Sequence, residues 1–130
     1  VFTEYLHRLG VPEDVVVGEV FGLDDDCLSF VPKPVYAVIA TFETLKKVEP
    51  TNVVDTAVTY YMAQTGTLDN ACGIIACLHS TLNNLDKFNI AEGGILDRFN
   101  QTAQGKTPQE RAVLLETNVE FKTVHATYAA

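Results

Sequence analysis

The stretch QTGTLDNACGIIACLHS, residues 64–80, passes from a polar loop to an apolar run within a few residues. The loop turns at Asp69-Asn70, and the apolar run predicts a helix from about Ala71 to Leu82. Cys72 then falls in the first helical turn, where backbone amides lack intrahelical partners and the helix dipole is positive. A thiolate is favoured at such a position, so Cys72 is a candidate cysteine nucleophile.

The neighbours of Cys72 bear on whether it is a nucleophile or a packing residue. The predicted helix is apolar nearly all round, which favours burial at the centre of the domain and a packing role for any cysteine in it. Ala71 and Gly73, however, are small enough to leave room for a substrate backbone beside Cys72. Gln64 lies upstream on the loop, where its amide N–H is placed to point at a developing oxyanion.

A cysteine nucleophile needs a general base, and the chain has three histidines. His79 follows Cys72 by seven residues, which puts it on the same helix face but about 10.5 Å further along the axis. That exceeds the roughly 2.6–3.2 Å that proton transfer requires, so His79 is expected to be a hydrogen-bonded core histidine. For His7 and His125 the sequence favours surface or structural roles.

The cysteine pattern argues against disulfides and metal centres. Three cysteines without a CxxC pair or a Cys/His cluster at metal spacing predict reduced thiols and no metal or cofactor. Cys77 lies about 140° around the helix from Cys72, so the two thiols point in different directions. Cys27 and Cys77 are predicted to be packing residues.

Length and charge limit the other possibilities. A chain of 130 residues with 47% hydrophobic residues predicts one domain with a real core. No window is apolar enough for a membrane span, and residue 1 onward lacks the layout of a signal peptide, so the expected location is cytoplasmic, with the nucleus as a second site. A net charge of −8 disfavours nucleic acid and anionic membranes and suits a partner with a basic surface.

The pattern along the chain mixes helices with extended segments. Val35–Phe42 is a nearly continuous apolar run, which predicts a strand buried on both faces inside a sheet. Val15–Phe21 and Val58–Met62 are two further extended candidates, and residues 43 to 56 read as a surface excursion. Val119–Tyr128 predicts a weaker helix, with an extended segment as the alternative.

The remaining helices are predicted from their start and stop signals. Thr3 is the predicted cap of Glu4–Leu9, and Asp24 that of a brief helix that Pro32-Lys-Pro34 must end. A helix from Ile95 to Gln104 ends at Gly105. Thr107-Pro-Gln-Glu110 reads as a capping box that starts a helix through Leu115.

These motifs resemble the ubiquitin carboxyl-terminal hydrolases, the papain-like cysteine peptidase family C12. The resemblance rests on Gln64, Asn70-Ala-Cys72-Gly73 and Leu-His79, and it continues in order through nearly the whole chain. The matching stretches are Leu9-Gly-Val11, Glu19-Val-Phe-Gly-Leu23, Leu28, Val31-Pro-Lys-Pro34-Val-Tyr-Ala-Val38, Phe42, Thr107-Pro-Gln-Glu-Arg111 and Leu115-Glu116.

The resemblance implies a fold, a reaction and two site residues. The fold would be α/β, of the α+β papain-like type, with helices around a central, mainly antiparallel sheet that is incomplete here. Cys72 would be the nucleophile and Gln64 the oxyanion stabiliser in a deubiquitinating thiol hydrolase. It would cleave esters, thioesters, amides or isopeptide bonds at the C-terminal glycine of ubiquitin, the expected partner, through an acyl-enzyme. His79 matches a family histidine that is not the base.

Two departures from the family pattern shape these expectations. The interval from Gln64 to Cys72 is two residues longer than is usual, through the Gly66-Thr67-Leu68 region. The family's catalytic histidine and aspartate lie in a later Gly-His to Asp-Gly segment that residues 1–130 do not contain. Residues 1–130 are therefore expected to be the N-terminal portion of one catalytic domain, ending at the crossover-loop region. A second polypeptide or a continuation would carry the rest; the alternative is a non-catalytic ubiquitin-binding or scaffold module.

Overall fold

Six helices make up the regular structure of the residues that the structure describes. The computed structural model describes residues 1–43, 55–64, 67–68 and 71–128. The helices are α1 Phe2–Leu9, α2 Asp25–Ser29, α3 Ala71–Leu82, α4 Ile95–Ala103, α5 Pro108–Thr117 and α6 Val119–Tyr128. No strand occurs within the described ranges, so the predicted sheet is not observed there.

The helix boundaries follow the capping residues closely. The Thr107 hydroxyl accepts the Glu110 amide N–H at 3.2 Å, and the Glu110 carboxylate accepts the Thr107 N–H at 2.7 Å, so the predicted capping box is confirmed. Asp24 likewise caps α2 by accepting the Cys27 N–H at 3.0 Å. The predicted cap at Thr3 is wrong, because α1 begins at Phe2, two residues before the predicted start at Glu4, and its N-cap residue is Val1.

Thr3 instead uses its hydroxyl in a tertiary contact. Its Oγ1 accepts the Val17 N–H at 3.0 Å and donates to the Val17 carbonyl at 3.3 Å. This contact ties the chain after α1 back onto the helix. Because α1 begins at Phe2, Thr3 lies in the first helical turn and its hydroxyl does not stand at the N-cap position.

The core is built around α3, as its apolar composition predicts. Two of its residues, Cys77 and Leu78, have no exposed surface. α1 packs against α4 and α6, and the rings of Phe99 and Phe121 meet edge to face at 5.0 Å where α4 meets α6. The largest fully buried side chains are Phe99, Phe121, Leu9, Met62, Leu78, Leu96, Leu115 and Cys77.

Gly10 ends α1 and allows a close approach of another part of the chain. Its φ of 111° is left-handed, which a side chain would oppose. The Gly10 carbonyl accepts the Ala91 N–H at 2.7 Å, and a Cβ on Gly10 would lie 3.2 Å from that of Ala91. A glycine here therefore joins α1 to the loop before α4.

The apolar run Val35–Phe42 differs most from its prediction. It forms no strand and is not buried, since Val38 is 82% exposed and Phe42 is 78% exposed. A strand gains its backbone hydrogen bonds only from a neighbouring strand, and the described part of the chain offers none. The prediction of a strand buried on both faces is therefore wrong for this structure.

The other two segments that were predicted to be extended also form no strand-to-strand hydrogen bonds within the described ranges. Val15–Phe21 is irregular and largely exposed, with Val17 held by the Thr3 hydroxyl. Within Val58–Met62, Tyr60 and Met62 are buried; Met62 is bound by His79 of α3 and Tyr60 by Asn83, which directly follows α3. Most of the predicted excursion at residues 43–56 lies outside the described residues, as does the turn at Asp69-Asn70.

Two further predictions concern the last helix and the membrane. The segment Val119–Tyr128 is helical, which decides between the two alternatives left open for it. Among the helices of the described ranges, none combines the length and the apolar character that crossing a membrane requires.

Candidate active site

Cys72 lies in the first turn of α3, where the sequence places it, and its side chain is exposed. Ala71, immediately before it, is only 2% exposed and points into the core. The Ala71 amide N–H donates to the Leu68 carbonyl at 3.3 Å, which leads the loop into the helix. An otherwise buried helix thus presents one thiol to solvent at its N-terminal end, where the dipole favours negative charge.

The other two cysteines are less suited to nucleophilic chemistry. Cys77 has no exposed surface, and burial raises the pKa of its thiol to about 12. Cys27 is half-buried beside Asp24, and the hydrogen bond to that carboxylate raises the pKa of the Cys27 thiol. A thiol with a raised pKa is a poor nucleophile at neutral pH. The prediction that Cys77 is a packing residue is confirmed.

The small neighbours of Cys72 do not leave the space that the sequence suggested. At Gly73 the direction in which a side chain would project faces the ring of Phe2 in α1, 3.5 Å away. Ala71 is buried in the core. These two residues therefore serve helix packing, and the open side of the site is at Cys72 itself.

One stripe of α3 connects Cys72 to a neighbouring segment of chain. Cys72, Ala76 and His79 lie along one face of α3, and Asn83, which directly follows α3 and donates its N–H to the His79 carbonyl at 3.4 Å, continues that face. The extended chain of residues 59–63 lies against the C-terminal half of this stripe. Tyr60 pairs with Asn83 and Met62 pairs with His79, so the segment runs antiparallel to α3, toward Cys72.

His79 lies seven residues after Cys72 on α3 and makes a tertiary hydrogen bond. Its Nε2 accepts the Met62 N–H at 3.1 Å, and its ring stacks on Tyr61 with centroids 5.3 Å apart and planes 19° apart. Burial lowers the pKa of the imidazole below its ordinary value. The predicted hydrogen bond of His79 is confirmed, whereas its ring is half-buried and does not lie in the core.

Gln64 is exposed and follows Met62 by two residues. The residue before it, Ala63, donates its N–H to the Pro108 carbonyl at 3.0 Å, so the backbone leading into Gln64 is held by α5. No hydrogen bond between the side chains of Gln64 and Cys72 occurs in the described ranges. The loop between them includes residues 65–66 and 69–70, which lie outside the described part of the chain.

The two remaining histidines are placed at other points of the fold. His7 donates from Nε2 to the Val15 carbonyl at 2.8 Å and so joins α1 to the chain that follows it. This confirms a structural role. His125 lies in the last turn of α6, half-buried, with an interaction partner of its own.

Two residues that shape this region were missed by the sequence analysis. Arg111 donates from Nη1 to the Tyr61 carbonyl at 2.8 Å and from Nε to the Ala103 carbonyl at 3.1 Å, and it lies 4.5 Å over the Tyr60 ring. The side-chain oxygen of Asn83 accepts the amide N–H groups of both Thr59 and Tyr60. The spacing of Asn83 from Cys72 and His79 was a usable signal, whereas nothing local indicated the partners of Arg111.

A metal centre has no support in this part of the chain. Within the ranges that the structure describes, no three His, Cys, Asp or Glu side chains come close enough to hold an ion.

Comparison with known proteins identifies the family. The model of the family described as ubiquitin carboxyl-terminal hydrolase, family 1, matches residues 1–130. The chain belongs to this family. Membership of the ubiquitin carboxyl-terminal hydrolases, which are cysteine peptidases, agrees with an exposed cysteine at the start of a buried helix.

Relatives in several organisms are similar over nearly the whole chain. Ubiquitin carboxyl-terminal hydrolase 3 of Arabidopsis thaliana is 35% identical over 136 residues, which cover 97% of this chain and 57% of the relative. A ubiquitin carboxyl-terminal hydrolase of Drosophila melanogaster is 34% identical, covering 99% and 60%. Human isozyme L1 is 30% identical, covering 92% and 57%. The chain therefore spans less than two thirds of the length of these relatives.

Proposed function

We propose that this chain supplies the nucleophile of a deubiquitinating thiol hydrolase that cleaves esters, thioesters, amides or isopeptide bonds at the C-terminal glycine of ubiquitin. The observation that carries the proposal is the exposure of Cys72 in the first turn of the otherwise buried α3. Family membership supports the substrate, since the relatives are named for ubiquitin. Of the three cysteines, all within the described ranges, Cys72 is exposed, whereas Cys27 is half-buried and Cys77 is buried.

The path of the chain supports Gln64 as the oxyanion donor. His79 and Cys72 are separated by about 10.5 Å along the axis of α3. Two extended residues carry the backbone at most about 7 Å, so the backbone at Gln64 is at least about 3.5 Å short of the level of Cys72 along the axis. A glutamine side chain spans such a gap, which counts in favour of Gln64 despite the longer loop between the two residues.

The reaction follows from these two groups. The Cys72 thiolate attacks the carbonyl carbon of the glycine and forms a C–S bond, while the carbonyl oxygen becomes an oxyanion that the Gln64 amide N–H stabilises. Collapse of the intermediate breaks the bond to the leaving group, which departs with a proton. Water then attacks the thioester, releases ubiquitin with a free carboxylate, and restores the thiol.

The general base and its orienting carboxylate come, in this proposal, from polypeptide outside residues 1–130. His7 and His79 are bound to backbone groups elsewhere in the fold, to the Val15 carbonyl and the Met62 N–H respectively. The same additional polypeptide would pair with Val35–Phe42 and turn that exposed run into a strand of the central sheet. Covering it would also remove an apolar patch that is unusual on a stable protein surface.

The charge of the chain suits the proposed partner. A net charge of −8 favours association with a basic segment, which the tail of ubiquitin provides under this proposal. Reduced cysteines are required for the chemistry, and the cytoplasm and nucleus are the compartments in which we place it.

Labelling with an electrophilic ubiquitin tests the proposal directly. The intact natural protein is treated with ubiquitin that carries a C-terminal vinyl sulfone, and the adduct is located by mass spectrometry of peptides. We expect one ubiquitin per chain, attached at Cys72. Cys72→Ala abolishes the adduct, whereas Cys27→Ala, which removes the other partly accessible thiol, preserves it.

Two outcomes would overturn the proposal. A folded wild-type protein that forms no adduct and yet binds ubiquitin would instead identify a non-catalytic ubiquitin-binding module. An adduct that persists in Cys72→Ala and disappears in Cys27→Ala would show that Cys27, and not Cys72, is the reactive thiol. Folding of each variant is checked by circular dichroism before labelling.

A further inference from the structure

The stretch of residues 59–63 is held on both sides although it belongs to no sheet. On the α3 side, the side-chain oxygen of Asn83 accepts the Tyr60 N–H at 2.8 Å and its amide donates to the Tyr60 carbonyl at 2.9 Å. On the α5 side, Arg111 donates to the Tyr61 carbonyl at 2.8 Å, and the Pro108 carbonyl accepts the Ala63 N–H at 3.0 Å. Side chains and one helix end thus replace the ladder that a neighbouring strand would provide.

His79 is the contact of α3 that lies closest to Gln64 along this segment. Its bond to the Met62 N–H comes two residues before Gln64, whereas the Asn83 bonds come four or five residues before it. His79 is also the member of the stripe that fixes the segment on the side toward Cys72. The imidazole therefore fixes the α3 side of the segment two residues before Gln64, while the Pro108 carbonyl holds the Ala63 N–H on the α5 side.

The imidazole itself is fixed in place by its neighbours. It stacks on Tyr61 and meets Tyr60 edge to face at 6.2 Å, so the ring cannot turn without losing aromatic contacts. To accept the Met62 N–H, Nε2 must carry no proton, so Nδ1 carries it. A neutral, oriented ring is what an acceptor of a backbone N–H at this site requires.

From this geometry we infer that His79 is a positioning residue for Gln64, because its bond to Met62 sets how far along α3 the oxyanion donor reaches. The inference rests on the proposed function, since it needs Gln64 to act at Cys72. It assigns His79 a role in transition-state stabilisation without contact with substrate. A misplacement of about 1 Å is enough to lower a rate by roughly 100-fold, so a positioning contact has a measurable effect.

A double-mutant cycle on the intact natural protein tests the inference. The variants are Gln64→Ala, His79→Phe, which keeps a ring for Tyr61 and lacks an acceptor, and the double variant. kcat and KM are measured with a ubiquitin C-terminal fluorogenic amide. We expect His79→Phe to lower kcat about 10- to 100-fold with KM within about twofold. In the Gln64→Ala background the same change should alter kcat less than about twofold, because the group it positions is already gone.

Two matched variants separate positioning from general damage. His79→Gln, whose side-chain oxygen can accept the Met62 N–H, should recover most of the kcat that His79→Phe loses. Ser80→Ala is the control on α3, since the Ser80 hydroxyl donates to the Ala76 carbonyl of its own helix and does not contact the segment. We expect Ser80→Ala to keep wild-type kcat and KM.

Affinity for ubiquitin aldehyde gives a second readout. The hemithioacetal that it forms at a thiol carries an oxyanion-like oxygen, so its affinity depends on the Gln64 donor. His79→Phe should weaken the aldehyde by the same factor as it lowers kcat and should leave the affinity for unmodified ubiquitin unchanged. A merely structural role for His79 would weaken both ligands alike.

The outcomes distinguish the inference from the proposed function. A folded wild type with no turnover would overturn the proposed function, and the inference with it. If the wild type turns over and Gln64→Ala lowers kcat, but the losses of Gln64→Ala and His79→Phe multiply in the double variant, then only the inference is overturned. An equal loss of kcat in His79→Gln and His79→Phe would also overturn the inference that His79 positions Gln64.

Discussion

α3 and the run Val35–Phe42 are similarly apolar, yet they have opposite fates in the structure. α3 lies at the centre of the core, with Leu78 fully buried. In Val35–Phe42 most side chains are exposed, and Val38 has 82% of its surface in contact with solvent. Hydrophobicity alone therefore does not decide which segment is buried.

The difference lies in where each segment finds its backbone hydrogen bonds. A helix pairs its own N–H and C=O groups, so α3 can be surrounded by side chains of any other element. An extended segment needs an external partner for every backbone group. Residues 59–63 find such partners in Asn83, His79 and Arg111, and two of their side chains, Tyr60 and Met62, are buried.

The largest expected effect comes from truncating the two apolar segments at matched positions. Leu78→Ala should lower the free energy of unfolding by about 3–5 kcal/mol, because it leaves a cavity in the core. In a polypeptide of residues 1–130 alone, Val38→Ala should change it by less than about 0.5 kcal/mol, because the side chain is already in water there. Urea unfolding of both variants, followed by circular dichroism, gives the comparison. Similar losses in the two variants would mean that Val38 is buried in solution.

A smaller effect is expected from removing the helix caps in the two regions. Thr107→Ala eliminates the capping box of α5, whose Leu115 is in the core, and should cost about 1 kcal/mol. Asp24→Ala removes a similar cap from α2, which buries no residue. Its loss should therefore reduce the helicity of α2 without lowering the free energy of global unfolding measurably.

The control for this pair is an exposed threonine without a cap role. Thr123→Ala on α6 removes only a hydroxyl that donates to the Val119 carbonyl within the same helix, and it should leave the stability near that of the wild type. If Asp24→Ala proved as costly as Thr107→Ala, the region around α2 would unfold together with the helical core, against the contrast drawn above.

The smallest expected effect is the pH dependence of the contact that joins α3 to the extended segment. Burial holds the pKa of His79 below its ordinary value of 6.5 in the folded protein, so the unfolded chain binds the proton more tightly. The contribution of His79 to the free energy of unfolding is therefore complete above about pH 6.5, and it is lost as the pH falls through the folded-state pKa. The groups that face the ring are the phenols of Tyr60 and Tyr61, with the Arg111 guanidinium beyond Tyr60.

The measurement is the free energy of unfolding between about pH 7 and pH 5, for the wild type and for His79→Gln, because an unshifted histidine would titrate in this window. We expect the wild type to lose more stability than the variant on acidification, since glutamine does not titrate. Equal slopes in the two proteins would show that other groups account for the acid sensitivity.

The sequence predicted the helical parts well because their signals are local. The range of α3, the capping box at Thr107 and the cap at Asp24 are encoded within a few residues, and all three agree with the structure. The error at Thr3 had a tertiary cause, since its hydroxyl pairs with Val17 instead of capping α1. The error at Val35–Phe42 also had a tertiary cause, since the apolar pattern predicts that the segment is buried but does not specify which other segment would bury it.

The features of the candidate site can likewise be divided into those that local sequence predicts and those that depend on tertiary contacts. By itself the sequence determined that Cys72 stands in the first turn of α3 and that His79 lies on the same face at a distance, because helix periodicity fixes both. Only the tertiary structure decided that Phe2 fills the space beside Gly73 and that His79 receives the Met62 N–H. Those contacts join residues far apart along the chain, and their formation depends on how the helices pack rather than on any local preference.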